Sequence, residues 1–350
     1  MELVNTTPMP TRLALHAPPA GARTAIITAK ATFKVGHGGD VVLDREQPLP
    51  VLDQDQPTEL GLLPSDALPR CDPAFEVMVL GKAYAPQGVP VPYLVVSLAV
   101  GPVERRLAVL GDRHWEGEGP GARISPPQPF VSMPLTWNRA FGGRKDILID
   151  VESPIEVMEP NNPEGKGFDH IGQGRQAAGI FKPPVPFPQF DPVRELPNLE
   201  DPLHPITGWD DRPLPACWAP TPLHYGMLYE RLRRARQAHP DQPVTMGSPE
   251  IMHRAHPDWA IELPPARTPV RLVGATPGGV FAFVIPALRI MVDVRIGEQA
   301  QELELIPRAL VLLPEERRFY LVYRHFVAFN YQADQVRAAR VRAAPGWARA

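Results

Sequence analysis

Proline is the residue that most restricts how this chain folds, because 46 of its 350 residues are proline. That is about 13%, against an average usage of about 5%. Proline lacks a backbone donor and clashes with the preceding turn of a helix, so it breaks helix interiors. Long helices are therefore excluded from most of the chain, and strands and extended segments are favoured.

Length and charge are those of an ordinary globular protein. At about 150 residues per domain, the length predicts two domains, although a single all-β unit can be longer. The 36 basic and 39 acidic residues give a net charge of −3, so no bulk field favours nucleic acid or an anionic membrane. The N-terminal sequence MELVNTTPMPTRLALHAPP lacks the pattern of a secretory signal, and no run of about 18 apolar residues could span a membrane. We therefore expect a cytoplasmic protein with no nucleic-acid or membrane partner.

The chain divides into regions that differ in composition and in hydrophobic pattern. Residues 1–115 alternate in the manner of strands, and RTAIITAKATFKV is rich in β-branched residues. Residues 116–265 are dense in Pro, Gly and Asn, and we interpret them as ordered extended chain packed on a β scaffold, with one helix near residues 222–239. Residues 266–331 return to strands that we expect to form one compact unit with the first region. The tail, 332–350, is rich in Arg and Ala and is expected to fray or to form a short helix. The predicted fold is mainly β, a sandwich or barrel-like set of sheets with long Pro/Gly-rich segments and one or two short helices.

Two cysteines, Cys71 and Cys217, are too few for a disulfide framework, and their spacing indicates no zinc site. Two reduced, buried thiols are the favoured interpretation at this low count. A single disulfide between them is the alternative.

No familiar catalytic, cofactor or metal motif is assembled along the chain. GQGRQAAG formally matches the dinucleotide fingerprint, but no strand precedes it and no helix follows it, as that fingerprint requires. His253 and His256 have a spacing that can bind a metal on a helix, but Pro257 follows at once, and a hydrogen-bonding role is favoured. Carboxylates are plentiful in residues 116–265, so an enzyme that uses a pair of them stays an alternative. Such a pair needs a set distance between its two carboxylates, and a sequence does not give that distance. We predict no catalytic residue, no cofactor and no metal.

The stretch MPLTWNRAFGG places an arginine between two aromatic residues and ends on a glycine pair. A guanidinium flanked by Trp137 and Phe141 is suited to clamping a carboxylate or a row of carbonyls. One hypothesis is that Arg139 pairs with Glu200 or with a loop carbonyl and thereby pins the irregular region to the β scaffold. The alternative is a set of separate surface turns with no pairing.

Four phrases occur in a fixed order along the chain: GDRHW, then MPLTWNRAFGG, NNPEGKGF and LPNLEDP. With NTTPMP, ITAKATFKV and PSDALPRCDPAFEVMVLGKAYAPQG before them, they make the chain resemble the DUF2169 family, nearly end to end. The residues of these phrases that we single out as structural or interaction candidates are Trp137, Arg139, Phe141, Gly142, Gly143, Asn162, Pro163, Gly165, Gly167, Pro197, Asn198 and Glu200. The chain departs from the family in having Cys71 where a lysine is usual, and ACWAPTPLHYGMLYERLRRARQ where a Trp/Arg-rich stretch is usual.

The resemblance implies a function, because genes of this family lie beside type VI secretion genes in Proteobacteria. It implies a non-enzymatic adaptor or chaperone that binds a type VI effector and helps load it onto the VgrG/PAAR spike. Trp209, Trp218 and Tyr225 are the candidate contacts with such a partner, and buried core aromatics are the alternative for each. The alternatives for the whole protein are a hydrolase-like enzyme and a structural component of the spike.

Overall fold

The protein is described by a computed structural model, which covers residues 2–16, 23–66, 74–117, 121–148, 154–168, 194–208, 211–241, 244–245, 248, 251–296, 298–329 and 336–343. Within these residues, no helix has the length and apolar character needed to cross a membrane. The GQGRQAAG phrase, Cys71 and Trp209 lie outside the described residues.

Strands dominate the architecture, which confirms the mainly β prediction. The strands are β1 (Glu2–Asn5), β2 (Thr11–His16), β3 (Arg23–Val35), β4 (Val41–Leu43), β5 (Gln56–Thr58), β6 (Gly61–Leu63), β7 (Ala74–Val79), β8 (Lys82–Tyr84), β9 (Tyr93–Val100), β10 (Val103–Leu110), β11 (Trp115–Glu116), β12 (Arg123–Ile124), β13 (Ser132–Pro134), β14 (Phe141–Gly142), β15 (Arg144–Leu148), β16 (Pro154–Met158), β17 (Lys166–Gly167), β18 (Leu199–Glu200), β19 (Ala260–Glu262), β20 (Pro269–Val273), β21 (Val280–Val284), β22 (Ile290–Ile296), β23 (Gln299–Leu313), β24 (Arg318–Phe329) and β25 (Val336–Ala343).

The larger sheet has ten strands and draws them from both ends of the chain. Its main path runs β1-β25-β22-β23-β24-β3-β2, with β4 beside β3 and β7 between β23 and β19. The two ends of this path, β1 and β2, are consecutive in the chain, so the sheet curls until it is nearly closed. A turn at LPEER separates β23 from β24, and Arg317 in it takes the left-handed conformation with φ of 50°.

The smaller sheet has five strands in the order β18-β10-β9-β20-β21. Its centre is the hairpin of β9 and β10, which reverses at Gly101-Pro102. The inward side chains of both sheets form one core. Phe319 of the large sheet stacks on Phe283 of the small sheet at 4.1 Å between ring centroids and on Phe33 at 5.0 Å.

The described residues include one α-helix, α1, from Tyr225 to Ala238, inside the predicted span. It begins later than expected: His224 occupies the N-cap without a side-chain cap, and Thr221 is fully buried upstream of it. Arg231 ties the helix to the body by donating to the carbonyls of Ile251 at 2.9 Å and His253 at 2.7 Å.

The expectation of a frayed or helical tail is wrong for residues 336–343. They form β25, which pairs in parallel with β1 and antiparallel with β22. Ala339 and Val341 of this strand are fully buried. Burial and ladder hydrogen bonds therefore override the helix propensity of an Arg/Ala-rich sequence.

Candidate functional site

The four family phrases converge at one edge of the small sheet. Glu200 of β18 lies opposite Ala108 of β10, and Leu199 forms a bridge with Ala140. On the other side of Ala140, β14 and β17 pair in parallel, with Phe141 opposite Lys166. We call residues 110–115, 137–143, 159–168 and 194–200 the clasp.

Asn162 fastens two of these segments together. Its side-chain amide donates to the carbonyls of Trp137 at 2.8 Å and Phe141 at 2.9 Å, and its own carbonyl accepts from the Gly143 N–H at 2.8 Å. The residue is almost completely buried, as is Pro163 after it. The Asn-Asn-Pro turn therefore supplies a donor to the buried Phe141 carbonyl and a second donor to the Trp137 carbonyl, which also accepts from the Ala140 N–H at 3.2 Å.

Glycine is required at Gly142, where φ is 147°. A Cβ at this position would overlap the Asn162 carbonyl oxygen and lie 2.8 Å from the Asn162 Cβ. Gly167 is similar: φ is 93°, and a Cβ would lie 2.8 Å from Cδ of Pro197. Strands β14 and β17 can therefore approach their neighbours only because these residues lack side chains.

Asn198 joins three segments of the clasp. Its side-chain oxygen accepts from Nη1 of Arg139 at 2.9 Å, and its amide donates to the Leu110 carbonyl at 3.0 Å and to Oδ1 of Asp112 at 2.9 Å. Its backbone N–H also donates to the Arg139 carbonyl at 2.8 Å. Arg139 thus pins the LPNLE phrase to the scaffold, but through Asn198.

Glu200 is not the partner of Arg139; the hypothesis of that pair is wrong. Its carboxylate accepts from Nη2 of Arg113, which also donates to the Pro197 carbonyl at 3.2 Å. Both side chains are almost fully buried. Burial raises the pKa of Glu200, and the Arg113 charge opposes that shift. The phrase GDRHW contains both Arg113, which contacts Glu200, and Asp112, which contacts Asn198. It is the part of the sequence that could have indicated these two contacts.

Each phrase also gives one apolar side chain to a small separate core beneath the clasp. Trp115, Phe141, Phe168 and Leu196 come from the four phrases in order, and Ile124 and Ile206 also belong to the cluster. This core explains why the phrases belong together: each segment is held by the side chains of the other three.

The outer rim of the clasp is charged. Nζ of Lys166 lies 3.2 Å from Oε2 of Glu195 and 3.6 Å from Oδ1 of Asp112. The pKa of Asp112 is lowered, first by its hydrogen bond from Asn198 and then by the charges of Lys166 and Arg139. The rim is therefore an internally neutralised ion-pair network.

The helix lies beside the clasp and presents tyrosine to solvent. Nε2 of His224 lies 3.2 Å from Oε1 of Glu164, and Nε1 of Trp137 donates to the Ala219 carbonyl at 3.0 Å just before the helix. Tyr225 is 77% exposed and Tyr229, one turn later, is 56% exposed. Tyr225 is one of the contacts predicted from the sequence, whereas Tyr229 is not, although its four-residue spacing from Tyr225 places both on one face of a helix.

Trp218 is not at the surface. It is buried and packs edge-on against Trp259, with 5.7 Å between ring centroids. Cys217 beside it is also buried as a free thiol, and burial raises its pKa to about 12. Both residues belong to the core, which leaves Tyr225 as the candidate partner contact that the structure exposes.

Acidic and histidine side chains in the described middle region have structural partners. Asp211 accepts from the backbone N–H groups of Thr207 at 2.8 Å and Gly208 at 2.7 Å, and Asp201 pairs with His204. Nδ1 of His253 lies 2.8 Å from the Ala255 carbonyl, and Nδ1 of His256 accepts from the Asp258 N–H at 3.3 Å. Across the described ranges, no group of three His, Cys, Asp or Glu residues could hold a metal ion.

Comparison with known proteins gives one match. A family model described as "Uncharacterized protein conserved in bacteria (DUF2169)" matches residues 20–324. The comparisons with curated proteins and with solved structures each found no match. The matched span contains the whole clasp and helix α1, whereas β1, β2, β25 and the last residues of β24 lie outside it.

Proposed function

The chain belongs to the DUF2169 family of bacterial proteins, and on that premise we propose that it is a cytoplasmic, non-enzymatic adaptor. In this proposal it binds a type VI secretion effector and helps load that effector onto the VgrG/PAAR spike. The type VI connection comes from the family resemblance, and the binding role is supported by the distribution of exposed apolar side chains.

That distribution is the observation on which the proposal depends. Among the described residues, the two most exposed large apolar side chains are Leu203, at 82%, and Tyr225, at 77%. Both lie between residues 116 and 265, Leu203 in irregular chain and Tyr225 at the start of α1. Tyrosine adds a large rigid contact area with little loss of side-chain entropy on binding, which is why it is enriched at interfaces.

The clasp supports the proposal indirectly, because its hydrogen bonds order the segments that form it. The side-chain amides of Asn162 and Asn198 donate to backbone carbonyls, and Glu200 forms an ion pair with Arg113. A surface that is ordered before binding loses less entropy when a partner docks. We therefore assign the clasp a supporting role and the tyrosine surface of α1 the contact role.

Secretion in the native host tests the proposal. Deleting the gene should abolish secretion of one effector while the spike protein is still secreted, and the tagged chain should co-purify with that effector from cells. The chain itself should stay in the cell pellet. Its appearance in the secreted fraction would favour a spike component, and normal effector secretion without the gene would reject the adaptor role.

A further inference from the structure

A small pocket is lined by residues to which no role is assigned above. It is formed by the β5–β6 hairpin and by the turn that joins β23 to β24, and it has a volume of about 190 Å³. Small-molecule sites usually measure about 300–1,000 Å³. This pocket is therefore too small for a typical metabolite or an acyl chain and has the size of a single large side chain.

The floor of the pocket is aliphatic. Five leucines line it, of which Leu80 and Leu313 are buried and belong to the main core; the others are Leu49, Leu60 and Leu63. Leu60 stands at the tip of the hairpin, and the glycine after it lies against Leu80, since a Cβ at Gly61 would be 3.6 Å from Leu80 Cδ2. The floor is thus fixed by the core, while the wall at Leu60 is partly exposed.

The rim is acidic. Glu59, Glu315 and Glu316 surround the leucines, and all three are exposed. Nη1 of Arg318 neutralises Glu316 at 3.0 Å, whereas Glu315 accepts from the neutral hydroxyl of Tyr84 at 2.8 Å and keeps its charge. Two net negative charges therefore stand over an apolar floor, an arrangement that repels carboxylates, phosphates and anionic lipids.

We propose that this pocket holds one leucine-like side chain of a protein partner, flanked in the partner sequence by lysine or arginine. The inference deepens the proposed adaptor function, on which it rests, by giving the chemistry of a second contact. The apolar side chain of the partner is buried against the leucines, and its basic neighbours neutralise the charges of Glu59 and Glu315.

Peptide titrations followed by methyl NMR of leucine-labelled protein test this directly. The probe is the peptide GRKLKRG; the matched probes are GRKAKRG, which lacks the apolar side chain, and GEDLDEG, which reverses the charge. GRKLKRG should shift the methyl signals of Leu60, Leu63 and Leu313. GRKAKRG should bind about tenfold more weakly, because a buried leucine side chain is lost. GEDLDEG should leave these signals unchanged.

Protein variants locate the site. Glu59→Gln combined with Glu315→Gln should weaken GRKLKRG binding about tenfold and remove its salt dependence, whereas Glu104→Gln, an exposed carboxylate of β10 that does not line the pocket, should change nothing. Equal shifts with GRKLKRG and GRKAKRG, or shifts that avoid the pocket leucines, would overturn the inference. The two proposals can fail separately. If the pocket binds the peptide but the gene deletion leaves effector secretion normal, the pocket inference is kept and only the adaptor role is rejected.

Discussion

Arg139 and Asn198 are joined twice, by the guanidinium donating to the side-chain oxygen at 2.9 Å and by the Asn198 N–H donating to the Arg139 carbonyl at 2.8 Å. Asn198 is fully buried, and its amide also serves the Leu110 carbonyl at 3.0 Å. Arg139 is partly exposed and has Asp112 as a second, longer contact at 3.5 Å. Water can therefore replace the contacts of the Arg139 side chain more easily than those of the Asn198 side chain.

Asn198→Ala should destabilise the protein more than Arg139→Lys. The alanine variant removes the Asn198 donor from the part-buried Leu110 carbonyl, at about 1–3 kcal/mol, and also loses the bonds to Arg139 and Asp112. Arg139→Lys should cost about 1 kcal/mol, because water can replace a partly exposed contact. Urea denaturation of both variants measures the difference, with Arg105→Lys as an exposed control. Equal losses for the two clasp variants would contradict the assignment of Asn198 as the central residue.

Gly142→Ala should be among the most damaging single-methyl additions in the chain. Its Cβ would overlap the Asn162 carbonyl, so β14 and the Asn-Asn-Pro turn must separate. The control is Gly88→Ala: Gly88 also has positive φ, 72°, but a Cβ there has no atom within 4 Å. The control should cost about 1 kcal/mol from backbone strain alone, and Gly142→Ala at least about 3 kcal/mol. Comparable melting temperatures for the two variants would show that the close approach is unimportant.

The buried pair of Arg113 and Glu200 should behave as a coupled unit. Removing either partner leaves a charge buried without compensation, at about 3–5 kcal/mol. Arg113→Met and Glu200→Leu should each cost this much, while the double variant should cost much less than their sum. A double-mutant cycle from urea denaturation measures the coupling. Additive losses would mean that the two charges do not depend on each other.

Periodicity predicted the parts of the fold that bury one face of a long strand. RTAIITAKATFKV became β3, and the two runs around Gly101-Pro102 became the central hairpin. The two-residue strands β14, β17 and β18 have no periodicity, since they exist only where two distant segments meet. The tail was mispredicted for the opposite reason: its local preference was real, but β1 and β22 offered it a ladder on both sides.

The clasp could be recognised as a set from the sequence, but its pairings could not. Arg113 and Arg139 are both arginines near an acidic phrase, and the choice of partner for Glu200 depends on strand register. Because β18 pairs with β10, Glu200 is placed near the end of β10, where Arg113 follows. No local pattern carries that register.

The pKa of Asp112 should lie below that of an ordinary aspartate, about 3.9. The stabilising hydrogen bond from Asn198 favours the charged form, so its contribution is fully present above the unfolded pKa and is lost as the pH falls through the folded pKa. The side chain is 68% exposed, so solvent screening keeps this contribution small. An NMR titration of the side-chain carboxyl measures the value, and Lys166→Gln should raise it slightly. A pKa at or above 3.9 would contradict the hydrogen-bond geometry.

Replacing both Tyr225 and Tyr229 by alanine should weaken binding of the co-purified effector at least about tenfold. Alanine keeps the helix propensity, and both side chains are mostly exposed, so the melting temperature should stay within about 1 °C. The matched control is Tyr93→Ala, an exposed tyrosine of β9 in the small sheet, which should bind normally. Surface-immobilised effector and purified variants give the dissociation constants. Unchanged affinity in the double variant would reject the tyrosine face of α1 as the contact surface. An equal loss with Tyr93→Ala would also reject it, because only tyrosines at the contact should affect binding.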